Sequence, residues 1–222
     1  MKRKIILSSC AVVIAVALQA QIETKQPQTE NSPEQIQTIF NQTSPVGWWV
    51  GPEFSYTMID KKGACLAGLS GGIIINHNFS IGLAGIGILT NNNLKFSGIN
   101  DTADVYLYGG YGGLILEYRI NPTQSVNIAF PLLIGGGGAA YSTWGPNSWN
   151  NSNNNDQDDN VYNWDSYFVI EPGVSAGINL LKFMRLDAGI TYRLVQGLSL
   201  PETGTTMMNG FNAKLSLKFG RF

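Results

Sequence analysis

Nine charged residues fall where they can meet: Glu53, Glu117, Arg119, Glu171, Arg185, Asp187, Arg193, Lys214 and Lys218. Within any one stretch they recur at even spacings, as in Glu117 and Arg119, or Arg185, Asp187 and Arg193. In a β-strand, even spacing puts side chains on one face. Four acids and five bases sharing a narrow interior can neutralise one another, whereas an unpaired buried charge is costly. The chemistry open to such a set is a structural ionic cluster or a gated ion path.

Other chemistry is thinly represented. His77 is the single histidine, and an acyl-transfer serine needs a base of that kind beside it. No acid stands near His77 in sequence, so it reads as a polar turn residue. One histidine and one mature cysteine make no metal cluster. Gly135-Gly136-Gly137-Gly138 lacks the Lys-Ser/Thr and the helix of a phosphate cradle. It suits a tightly curved strand instead. Asn147–Asn160 contains Asp156, Asp158 and Asp159 among seven asparagines, without the order or terminal Glu of a calcium loop. It reads as a solvated surface loop. The expectation is no catalytic residue, no cofactor and no metal.

The charges are carried by strands. Tyr167–Val195 divides into two segments joined by a short connection near Leu181–Phe183. In the first, Phe168, Ile170, Pro172, Val174, Ala176, Ile178 and Leu180 oppose Glu171, Gly173, Ser175, Gly177 and Asn179. In the second, Met184, Leu186, Ala188, Ile190, Tyr192 and Leu194 oppose Arg185, Asp187, Gly189, Thr191 and Arg193. Strict alternation at period two is a strand signal. About thirteen residues at roughly 3.3 Å each give about 43 Å of strand, far beyond an ordinary sheet. Tilted by about 40°, such a strand still clears the ~25 Å apolar band of a membrane barrel. One apolar face and one face of charges and glycines is the lipid-out, lumen-in pattern.

Six further strands follow the same scheme, at about Gly47–Ile59, Ala64–Ile75, Ser80–Thr90, Val105–Ile120, Val126–Tyr141 and Gly210–Phe222. The fold class is therefore all-β, an eight-stranded antiparallel up-and-down transmembrane barrel. Connections after the second, fourth and sixth strands are short. Those at Asn91–Asp104, Ser142–Ser166 and Val195–Asn209 are long, and Asp60–Gly63 is a short exception. Short periplasmic turns and long outer loops are the expected asymmetry, which places both barrel termini at the periplasmic end. Trp48, Tyr118, Phe183, Phe219 and Phe222 would form the periplasmic aromatic girdle. Tyr106, Tyr108, Tyr141, Trp144 and Phe168 would form the outer one.

The 222 residues begin with a leader. Met1-Lys2-Arg3-Lys4 is basic, Ile5–Leu18 is mostly apolar, and Ala20 precedes the expected cleavage point. Residues 1–20 are thus a signal peptide. Leu7-Ser8-Ser9-Cys10 resembles a lipoprotein box, but most of the apolar segment follows the cysteine instead of preceding it. Cleavage leaves Cys65 without an internal disulfide partner. Residues 21–45 are a polar periplasmic linker in which Ser32-Pro33-Glu34-Gln35 signals a short helix over about Pro33–Asn41. That helix would be a plug or docking element, or else plain linker. Residues 46–222 form the barrel. Charged residues are only 13%, with a net charge of -1, so no basic stripe exists for nucleic acid.

The chain resembles the small outer-membrane β-barrel proteins of Gram-negative bacteria, and most of all uncharacterised ones of the Bacteroidetes. The residues carrying this are Glu171-Pro172-Gly173, Phe183-Met184-Arg185-Leu186, Tyr192-Arg193 and the ending Leu215–Phe222. The resemblance implies an exported, monomeric barrel surrounded by outer-membrane lipid and lipopolysaccharide. It implies that the barrel-assembly machinery reads a C-terminal Phe. Phe222 is one residue out of phase with Phe211, Ala213, Leu215, Leu217 and Phe219, and a bulge at Gly220 would restore it. No activity comes with the resemblance.

The leading functional expectation is a non-enzymatic outer-membrane barrel with a structural or surface-recognition role through its outer loops. The alternatives are a narrow pore for small solutes or ions and a lipid-modifying barrel enzyme, with a soluble periplasmic β-sandwich as the rival fold. Glu171 is expected to face the lumen and pair with Arg185 or Arg193. Ser142–Ser166, with Trp144, Trp149, Tyr162 and Trp164 among amides, is the expected recognition loop, suited to stacking on sugar rings.

Overall fold

The computed structural model describes residues 46–89, 94–96, 105–142, 161–200 and 204–222. Nine strands form one sheet: β1 (Val46–Ile59), β2 (Lys62–Ile75), β3 (Phe79–Ile88), β4 (Lys95–Phe96), β5 (Val105–Ile120), β6 (Val126–Ser142), β7 (Val161–Leu181), β8 (Met184–Gln196) and β9 (Gly210–Arg221). All pairings are antiparallel. Each long strand pairs with its chain neighbours, β1 pairs with β9, and β3 pairs with β5. The sheet therefore closes on itself with eight long strands, and β4 is a two-residue ribbon beside the start of β5. Closure removes the unpaired edges that an open sheet would expose.

Local chemistry sets the hairpins. Asp60 and Lys61 both adopt positive φ, 47° and 62°, as the two central residues of a primed turn must. At the opposite end Asn76 and His77 do the same, with φ of 52° and 59°. The short connections after β2, β5 and β7 share one end of the barrel, together with Val46 and Phe222. The connections after β1, β3, β6 and β8 share the other.

Alternation decides what each strand shows outside. Along β1, Trp48, Val50, Phe54, Tyr56 and Met58 are exposed, while Trp49, Glu53, Thr57 and Ile59 are buried. Leu69, Leu83, Val126, Ile190 and Phe211 continue this outer surface around the wall. The hairpin of β7 and β8 follows the sequence pattern residue for residue, with Glu171, Arg185, Asp187, Thr191 and Arg193 inside. Among the described residues, no helix is long and apolar enough to cross a membrane.

Three expectations need correction. First, β7 starts at Val161 and not at Tyr167, because residues 161–166 continue the ladder to Ala139–Ser142 of β6. A bulge lies between Ala140 and Tyr141, and Asn163 opposite it has a φ of 46°. Polar Asn163, Asp165 and Ser166 hid a strand whose partner, not its composition, dictates it. Second, there is no bulge at Gly220. Trp48, Trp49 and Val50 pair in unbroken register with Arg221, Gly220 and Phe219, so Phe222 turns inward. Third, Tyr141 is fully buried inside the barrel and belongs to no girdle. The signal peptide, the linker with its helix, Trp144, Trp149 and Asn147–Asn160 lie outside the described residues.

Candidate functional site

The lumen is built in three layers. Nearest the short-turn end, β5, β8 and β9 bring together Glu117, Arg119, Asp187 and Lys218. Arg119 Nη2 lies 2.7 Å from both Glu117 Oε1 and Asp187 Oδ2. Lys218 Nζ lies 2.7 Å from Glu117 Oε2 and 2.9 Å from Asp187 Oδ2. Each acid thus touches both bases and each base both acids. All four side chains are buried. Such a closed ring of alternating sign satisfies charges that would be strongly destabilising if left single.

Its surroundings are fitted to it. Arg119 Nη1 also donates to Asn127 Oδ1 and, at 3.0 Å, to Asp187 Oδ1. Lys218 Nζ stands 4.5 Å from the centre of the Trp49 ring. Gly177 on β7 faces this ring of charges, and a Cβ there would collide with Arg119 Nη1, Asn127 Oδ1 and Asp187 Oδ1. The glycine is needed for space.

The middle layer is polar but only partly ionic. Glu53 accepts from Ser70 Oγ at 2.6 Å and pairs with Lys214 Nζ at 2.8 Å. Glu171 accepts from Tyr111 Oη and Thr191 Oγ1, each at 2.6 Å. Asn212 Nδ2 in turn donates to Thr191 Oγ1 at 3.1 Å. The expected bridge from Glu171 to Arg185 or Arg193 is therefore corrected: two hydroxyls hold this carboxylate. Arg193 is fully buried, donates through Nε to the Met208 carbonyl at 2.8 Å, and lies 5.4 Å from the Tyr111 ring centre. Arg185 sits a layer away, at the short-turn mouth. Its Nε donates to Asn179 Oδ1 at 2.6 Å, Nη2 to the Pro122 carbonyl at 3.2 Å, and its Cζ lies 4.1 Å from the Phe222 ring centre.

The third layer, toward the long-loop end, is apolar. Ile59, Leu66, Ile86, Ile88, Leu107, Tyr141, Val169 and Val195 point inward from the wall. Leu94, Leu198, Leu200, Met207 and Met208 close over them from the loops. Met207 is tied down by the Asp60 N–H, which donates to its carbonyl at 3.1 Å. Asp165 fixes the other side, its carboxylate accepting from the N–H groups of Ser166 and Ser199 at 2.8 and 2.6 Å. Between the ionic layers lies a small cavity of about 30 Å³, bounded by Glu53, Glu117, Asp187, Lys214 and Lys218. That is room for one or two waters and for no larger solute.

The structure thus gathers the nine charged residues into the lumen but divides them: a four-membered ring, the Glu53–Lys214 pair, Glu171 with its hydroxyls, and two separately held arginines. His77 lies on the β2–β3 turn, and among the described residues no carboxylate bonds to it. No group of three His, Cys, Asp or Glu is placed to hold a metal among the described residues. Sequence reasoning missed Tyr111, Ser70, Asn127 and Asn212 as partners, and missed the apolar layer altogether. Tyr111 was findable, since it shares the odd-numbered inward face with Glu117. Gly137 opposite it leaves the volume that Tyr111 and Tyr167 fill.

No protein-family model matches the sequence, and no curated protein sequence does. Among solved structures, the chain is similar to Neisserial surface protein A, at 15% identity over 79% of this chain and 96% of that one, TM-score 0.47. It is also similar to Ail, the attachment invasion locus protein of Yersinia pestis, solved in complex with the heparin analogue sucrose octasulfate. That likeness has 14% identity, 80% and 97% coverage and a TM-score of 0.43. A third is the outer membrane protein OprG from Pseudomonas aeruginosa, at 9% identity, 80% and 96% coverage and TM-score 0.42. The chain's own strand pairing defines its class, a closed eight-stranded antiparallel β-barrel of the outer-membrane type.

Proposed function

We propose that this protein is a non-enzymatic integral barrel of the Gram-negative outer membrane, exported through residues 1–20, closed to solutes, and exposing its long-loop end outward. The observation that carries the reading is the pairing of an apolar exterior with a lumen filled, among the described residues, by its own side chains. An outer wall of Leu69, Leu83, Val126 and Phe211 suits lipid, and Leu94, Leu198, Leu200 and Met208 are buried across the long-loop end of the lumen. Eight strands enclose an interior that side chains alone can fill. The role left for such a barrel is support of the envelope or recognition by what projects from it. Strands β6 and β7 extend farthest, and Trp164 near their tip is 73% exposed.

Two measurements test this. Purified protein in planar bilayers is expected to give no steps above the bare-bilayer conductance; steady channels would restore the pore reading. A cysteine at Trp164, in a Cys65→Ala background, is expected to react with an impermeant maleimide on intact cells. Labelling only after the outer membrane is permeabilised would invert the orientation.

A further inference from the structure

Two arginines of the lumen, Arg185 and Arg193, have no carboxylate partner among the described residues. Their positions differ. Arg193 is fully buried against the Met208 carbonyl, whereas Arg185 borders a recess of about 650 Å³ at the short-turn mouth. The β5–β6 turn and Asn179 hold the Arg185 guanidinium in place. Its Nε donates to Asn179 Oδ1 at 2.6 Å and its Nη2 to the Pro122 carbonyl at 3.2 Å. Asn179 is fixed in turn, its Nδ2 donating to the carbonyls of Pro122 and Gln124 at 3.1 and 2.7 Å. These acceptors are neutral, so they orient the guanidinium without cancelling its charge. Glu117 and Asp187 are already committed to Arg119 and Lys218.

The recess has a cationic side and an apolar one. Arg185 is its buried cation, and Lys182, on the β7–β8 turn, its exposed one. The lining side chains carry these two fixed positive charges and no carboxylate. Leu180 and Leu181 also line it, and both are exposed. Leu180 lies two positions after Ile178 on the outward face of β7, so the recess meets the lipid-facing wall. A preset guanidinium and an ammonium suit the oxygens of a phosphate. A strip of exposed leucine and isoleucine beside them suits acyl chains. The volume is in the range of small-ligand pockets, enough for a headgroup.

The geometry points to a bound anionic lipid, its phosphate on Arg185 and Lys182 and its chains laid along Leu180 and Ile178. The phosphate supplies the counter-charge that this mouth lacks. It also ties the β5–β6 and β7–β8 turns together at the membrane surface. Both faces of a membrane carry phosphate groups, so the site does not depend on which way the barrel faces.

Native mass spectrometry of the full mature chain, refolded in a neutral detergent, tests it without export or orientation entering. Titrated with phosphatidylglycerol, the barrel is expected to take up one lipid saturably. Lys182→Gln is expected to weaken that binding about fivefold, the scale of one lysine at a charged membrane surface. Arg185→Gln is expected to weaken it at least as much, and Lys61→Gln, on a turn at the opposite end, to leave it unchanged. Arg185 is buried, so retained heat-dependent gel migration checks that its variant is folded. Lys182 lies in an exposed turn, so its variant carries the test even if the other fails to fold. Glycerol phosphate, a headgroup without chains, is expected to bind at least about tenfold more weakly than the lipid. Equal weakening by Lys61→Gln and Lys182→Gln would show diffuse attraction to surface charge and would overturn the proposal. Glycerol phosphate or inorganic phosphate binding as tightly as the lipid would make the mouth a site for a free anion, and would overturn it too. So would lipid uptake that neither saturates nor responds to Lys182.

Discussion

The two ends of the lumen solve one problem by opposite means. Toward the short turns, β5, β8 and β9 fill the barrel with Glu117, Arg119, Asp187 and Lys218. Toward the long loops, side chains such as Leu66, Leu107, Leu198 and Met208 fill it. Both ends are buried, yet their energetics differ in kind. An apolar layer loses stability gradually, in proportion to the volume removed. A charge ring holds only while every member is present, because each acid depends on both bases. The ionic end should therefore be the brittle one.

The largest effect is expected from Arg119→Ala. It leaves Glu117 and Asp187 sharing Lys218 alone, and breaking a buried pair costs about 3–5 kcal/mol. Urea unfolding of the barrel in lipid vesicles, followed by tryptophan fluorescence, should show the midpoint falling sharply. Next comes Met208→Ala at the apolar end, where deleting a fully buried Met costs about 2–5 kcal/mol. The lower half of that range is expected, since Met208 sits in a loop that can settle inward. A loss at Met208 exceeding that at Arg119 would reverse the contrast between the two ends.

Gly177→Ala sharpens the comparison because no charge changes. One methyl would enter where Arg119, Asn127 and Asp187 meet. Overpacking of this kind costs about 1–3 kcal/mol, whereas the same change at Gly85, whose Cβ would meet nothing within 4 Å, should be nearly silent. Equal effects at the two glycines would mean that strand propensity, and not the charge ring, sets the cost.

Much of the barrel was legible in the sequence, for a physical reason. Period-two alternation is a local property, and a strand of membrane length repeats it often enough to be unambiguous, as in Phe168 to Leu180. Which face is inward follows at once, so Glu171, Arg185, Asp187 and Arg193 were placed inside before any pairing was known. Which inward residue meets which was not legible, because that depends on register between strands far apart in sequence. Glu117 and Lys218, bonded at 2.7 Å, are separated by 101 positions. The same limit misassigned Glu171, since Tyr111 reaches it across β6 from β5 and Thr191 from β8. The apolar layer escaped for another reason. An inward Ile59 or Val169 resembles a lipid-facing one in composition, and only its place in the alternation tells them apart.

The smallest effect concerns Phe222, where sequence and structure part most plainly. An outward Phe222, reached through a bulge, would meet lipid and leave Arg185 uncovered. The inward Phe222 lies half-buried with the Arg185 guanidinium 4.1 Å from its ring centre. A cation over an aromatic face contributes about 0.5–1 kcal/mol when exposed and about 2 when desolvated. Phe222→Leu keeps apolar volume and removes only the ring, so it should lower stability by about 0.5–1 kcal/mol. The decisive measurement is a double-mutant cycle with Arg185→Leu, refolding each purified variant in vesicles so that assembly in cells does not enter. If the ring lies over the guanidinium, the two changes are non-additive by about the same amount, as contacting residues are. Strict additivity would return Phe222 to the outer face and put the bulge back at Gly220.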